Sequence, residues 1–96
     1  RNDLKVDQNS NRVWVGDEEV NLTEIEYRIL QLLITNPKRV FSNKELYESI
    51  WDESYLYTAN NTIMVHIRNL RKKLLVDPSN PKYIRTIWGK GYRFGT

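Results

Sequence analysis

At about 100° per residue, Ile63, Ile67, Leu70 and Leu74 fall within about 60° of one another, so a helix predicted over residues 60–75 seats one narrow apolar seam on a core. The opposite face carries Asn61, Val65, Arg68 and Lys72, with Asn69 beside them and Arg71 on the other flank. Asp77-Pro78 and Asn80-Pro81 then form a rigid connector to two predicted strands, 83–88 and 92–94. Between those strands, Gly89-Lys90-Gly91 supplies two residues that tolerate positive φ on either side of one projecting charge. A one-sided helix followed by a tight basic hairpin leaves few arrangements for the rest of the chain.

Charge follows the same division. Residues 61–96 hold eight bases and one acid, a net of +7, whereas residues 1–60 hold seven bases and eleven acids, a net of −4. The overall +3 hides a strong dipole whose positive end suits a polyanion, nucleic acid first.

Upstream, short strands are predicted at 4–6, 12–15 and 18–21, separated by turns at Asn9-Ser10-Asn11 and Gly16-Asp17, giving a small antiparallel sheet. Two helices then open with the same punctuation. Thr23 with Glu26, and Ser42 with Glu45, form capping boxes, and Leu22 with Tyr27, and Phe41 with Leu46, are spaced as hydrophobic staples. Ile25, Ile29, Leu32 and Leu33 are the predicted core stripe of the first helix, which ends at Asn36-Pro37. Leu46 and Ile50, with Tyr47, serve the second, which ends near Trp51, and residues 52–58 read as an exposed loop. The fold class is α+β.

Ninety-six residues suffice for one domain with a single core. There is no cysteine for a disulfide or thiolate metal site, and no apolar run approaches the ~20 residues needed to cross a bilayer. No signal segment opens the chain, so a cytoplasmic protein with no membrane contact is expected. The only methionine is Met64, so residues 1–96 are expected to be one domain of a longer protein.

Helix, turn, helix and basic hairpin form the layout of a winged helix-turn-helix. An α-helix fits the major groove of B-DNA, where arginine can fork onto guanine, asparagine can pair with adenine and a valine such as Val65 can touch a thymine methyl. Lys72 and Lys73 suit phosphate, as mobile point charges.

From Val20 to Phe94 the chain resembles the effector domain of OmpR/PhoB-type two-component response regulators. The resemblance is carried by Leu22-Thr23 with Glu26-Tyr27, by Arg39-Val40-Phe41-Ser42, and by Glu45-Leu46 with Ile50-Trp51. It continues through residues 61–68, Leu70-Arg71-Lys72-Lys73-Leu74 and residues 83–94, with the start of the third helix and the Trp88-Gly89 hairpin resembling the VanR-like branch. It implies an N-terminal four-stranded sheet, three helices and a C-terminal wing, with the third helix in the major groove and the wing, 88–92, near the minor groove. It also implies a receiver domain upstream, direct-repeat operators bound by head-to-tail dimers, and RNA polymerase contact through Asp52, Glu53, Tyr55 and Tyr57.

Carried onto this sequence, the resemblance implies DNA contact by Trp51, Asn61, Thr62, Val65, His66, Arg68, Asn69, Arg71 and Lys72, and by Thr86, Trp88, Lys90, Tyr92 and Arg93 of the hairpin. Three positions depart from the pattern. Asn61 and Asn69 stand where many relatives have arginine, and Trp88 replaces an arginine that some insert into the minor groove. Lys90 or Arg93 is therefore expected to supply the wing's charge, with Trp88 packed on sugar or on the domain, and Lys82 and Arg85 adding only general field. His66 and Trp51 have structural readings too, as seam-edge and core residues.

The competing reading is a protein-interaction module whose winged helix serves an acidic partner without DNA readout. An enzyme is not expected: the chain has one histidine, no paired nucleophile and base, and no phosphate-binding glycine loop. No cofactor or metal is expected either. RNA fits less well, because its deep, narrow major groove does not admit a helix.

Overall fold

A computed structural model describes residues 4–52, 60–74 and 83–95. The elements run β1 (Leu4–Asp7), β2 (Arg12–Val15), β3 (Glu18–Val20), α1 (Glu24–Thr35), α2 (Asn43–Trp51), α3 (Asn60–Lys73), β4 (Ile84–Ile87) and β5 (Gly91–Phe94). The first three strands make an antiparallel sheet in the order β1-β2-β3, and β4 and β5 pair as a separate antiparallel hairpin. This is the α+β winged helix-turn-helix expected. Three strands are seen at the N-terminal end among the described residues, matching the reading of the residues rather than the four-stranded sheet.

Both capping boxes are present in full. Thr23 Oγ1 accepts from the Glu26 amide at 3.2 Å while the Glu26 carboxylate accepts from the Thr23 amide at 3.0 Å. Ser42 and Glu45 repeat the exchange at 3.0 Å in each direction. Asn36 closes α1, its side-chain amide donating to Leu32 O at 2.9 Å, and Asp52 closes α2 in a left-handed conformation, φ 56°.

The core is one cluster. Ile63, Ile67, Leu70 and Leu74 of the third-helix segment are all buried, as their phasing predicted, and α3 packs on both α1 and α2. The α1 stripe needs correction. Tyr27, Ile29, Leu30 and Leu33 are its buried residues, whereas Ile25 and Leu32 are half-buried flanks. Glu26 is buried on the same side, paired with Lys73 of α3.

Element ends also shift. α3 closes at Lys73, and β4 stops at Ile87, so Trp88 belongs to the turn. β5 starts at Gly91, which pairs with Ile87. Gly91 is strand because the hairpin is fused to the segment before α2. The Phe41 amide donates to Tyr92 O at 2.7 Å and the Tyr92 amide to Phe41 O at 2.8 Å. A Cβ at Gly91 would lie 2.0 Å from Phe41 O, and its φ of +143° excludes side chains independently.

Candidate nucleic-acid interface

The three bases in the last turn of α3 go three different ways. Lys73 turns inward: its Nζ donates to Glu26 Oε1 at 2.7 Å, beside the capped start of α1. Burial disfavours the Glu26 carboxylate, but the Lys73 ammonium and the Thr23 amide outweigh it and hold its pKa below the ordinary glutamate value. Lys73 thus joins α3 to α1, a role that the expectation of phosphate contact did not include.

Arg71 turns toward the wing. Its Nη2 donates to Ile84 O and to Thr86 Oγ1, each at 2.8 Å, and its Nε donates to Ile84 O at 3.2 Å. The guanidinium also lies 5.7 Å from the centre of the Tyr92 ring. Burial pushes Arg71 below its ordinary range, opposed by Tyr92, and the charge persists because guanidinium is so strongly basic. Burial likewise raises the Tyr92 phenol, partly countered by Arg71.

Lys72 alone of the three is exposed, in line with Arg68, Val65 and Asn61. Thr62, His66 and Asn69 are half-buried at the margins of that face. Met64, which the sequence reading passed over, is 46% exposed beside Val65 at 43%. Trp51 is half-buried, stacked on Tyr47 with ring centres 4.8 Å apart and tilted against His66 at 5.9 Å. An aromatic ladder therefore ties the end of α2 to the middle of α3.

On the wing, Lys90 is exposed and Trp88 is 90% exposed, so the tryptophan does not pack on the domain as one expectation had it. Trp88 stands in the hairpin turn, which the Lys90 amide closes onto Ile87 O at 2.9 Å. Tyr92 is buried and Thr86 half-buried, both on the inward side with Arg71. Arg85 pairs directly with Arg93 across the outward side. Two like charges so placed repel each other. The strand register, invisible from composition, is what brings the two together.

Asp52 is exposed at the end of α2, while Glu53, Tyr55, Tyr57 and Lys82 lie outside the described residues. Among the described residues no group of three His, Cys, Asp or Glu side chains could hold a metal, and no helix is long and apolar enough to cross a membrane.

The family described as "Transcriptional regulatory protein, C terminal" matches residues 17–94. The chain belongs to this OmpR/PhoB-type family of effector domains. Within it, the chain is 49% identical over 92 residues to the uncharacterized transcriptional regulatory protein YrkP of Bacillus subtilis, covering 96% of this chain and 40% of that protein. It is 40% identical over 90 residues to the regulatory protein VanR of Enterococcus faecium, covering 94% of this chain and 39% of VanR. The domain thus spans about two fifths of these relatives. Among solved structures, the Klebsiella pneumoniae RstA DNA-binding domain in complex with the RstA box superposes with a TM-score of 0.88 at 29% identity, covering 97% of this chain and 91% of that one.

Proposed function

We propose that this OmpR/PhoB-type domain binds double-stranded DNA sequence-specifically as the effector of a two-component transcriptional regulator. The observation that carries the reading is a single exposed face on α3, built from Asn61, Val65, Arg68 and Lys72, beside a wing that presents Trp88 and Lys90, with no acid on either element. The RstA domain, similar throughout, was solved with the RstA box.

In this reading α3 enters the major groove, where Arg68 and the asparagines Asn61 and Asn69 read base edges and Val65 and Met64 offer apolar contact. Lys72, Thr62, His66 and Trp51 serve phosphate, while Arg93, with Arg85, gives the wing a second phosphate site. Trp88 and Lys90 approach the minor groove, and Arg71, Thr86 and Tyr92 support the wing from behind. A receiver domain upstream, direct-repeat operators, head-to-tail pairing, RNA polymerase contact near Asp52 and a cytoplasmic setting complete the proposal, resting on the family resemblance.

Titrating duplex at several salt concentrations tests it. Arg68→Ala should weaken operator binding by about 1–3 kcal/mol and relax preference at one base pair. Lys72→Ala should weaken all duplexes alike and reduce the salt slope by about one. Loss of neither, with an acidic protein partner retained, would favour the interaction-module reading instead.

A further inference from the structure

The last turn of α3 and the wing are joined by one side chain. Arg71 places a forked donor on Ile84 O and adds Thr86 Oγ1, so that three hydrogen bonds from two nitrogens bridge the helix to β4. Thr86 pairs with Tyr92 across the hairpin, and Tyr92 is bonded in both directions to Phe41 before α2. Arg71 therefore closes a continuous chain of contacts: α3, β4, β5, the start of α2.

We infer that Arg71 is a positioning residue, not a DNA contact: it sets the distance between the groove-facing side of α3 and the wing tip, and it confers specificity by fixing how far apart two sub-sites may lie. The inference rests on the DNA-binding reading above for its functional half. Its geometric half stands alone. A guanidinium is needed because a lysine ammonium is a single point donor on a flexible stem and cannot hold a carbonyl and a hydroxyl in a rigid fork. A helix and a wing held as one body meet the major and minor grooves in a fixed register, whereas a loosened wing would tolerate several registers at lower affinity for each.

Two variants separate positioning from contact. Arg71→Lys keeps the charge and loses the fork; Arg71→Met loses both. The probes are a duplex selected from a random pool by the unmodified domain, the same duplex with one base pair inserted between the protected major- and minor-groove segments, and a random duplex. Arg71→Lys is expected to lower affinity for the selected duplex roughly tenfold, leave random duplex unchanged, and shrink the penalty for the inserted base pair. Arg71→Met is expected to leave the salt slope unchanged, where loss of a phosphate contact would lower it by about one. A lowered slope in Arg71→Met, or full selected-duplex affinity with an undiminished insertion penalty in Arg71→Lys, overturns the inference. Amide hydrogen exchange of the free domain supplies the second arm. In Arg71→Lys the Lys90 and Tyr92 amides should exchange faster while α1 amides keep their rates; unchanged wing exchange overturns the inference whether or not DNA binds. If the unmodified domain selects no duplex, the DNA reading fails by itself, and exchange still decides whether Arg71 holds the wing.

Discussion

Gly91 and Glu26 show how single residues set the shape of the interface. Gly91 and Gly89 both have positive φ, yet their surroundings differ: a Cβ at Gly89 meets open space, and one at Gly91 strikes the Phe41 carbonyl. Gly89→Ala should cost about 1 kcal/mol, the price of the left-handed backbone. Gly91→Ala should cost about 2–4 kcal/mol, since strain and overpacking add. Urea unfolding of the two variants checks the ranking; equal costs would mean the wing does not press on the segment before α2. Glu26 behaves as a buried acid with a partner. Its pKa is depressed in the folded state, so its contribution is present above the ordinary glutamate value of 4.5 and lost as pH falls through the lower folded value. Glu26→Gln should destabilise by about 1–3 kcal/mol at neutral pH, tempered by the part-exposed Lys73, and the gap to the parent should narrow in acid. A gap that stays constant with pH would show that packing, not charge, is at stake.

At the scale of elements, periodic signals were legible and shared surfaces were not. The seam of α3 and the two capping boxes were readable because each depends on spacing within one segment. The α1 stripe came out turned, because Leu30 is buried by tertiary packing that no local pattern names. Arg71 and Lys73 looked like surface bases for the same reason: their partners lie 13 and 47 residues away in sequence. The wing was legible from its glycines, but the cross-strand meeting of Arg85 with Arg93 needed the register. Capping can be tested at this scale. Ser42→Ala should cost about 1 kcal/mol, measured by thermal unfolding. The Arg39 pair with Glu45 at 3.1 Å is too exposed to compensate.

Across the whole molecule, the charge dipole becomes an arrangement. Of the described bases in the last third, Lys73 and Arg71 hold α3 to α1 and to the wing, and Arg68, Lys72, Lys90 and the Arg85–Arg93 pair are the ones proposed to meet DNA. Fewer free cations in fixed places favour readout over general polyanion affinity, since phosphate contacts orient a protein on DNA and base contacts carry sequence. Sequence-specific recognition of duplex DNA, as proposed, is tested by repeated selection of duplexes bound by the domain from a random pool at moderate salt. One short sequence should be enriched, with preference at a position lost in Arg68→Ala. A pool that stays random while the domain still binds it would mean that the domain holds DNA without reading its sequence.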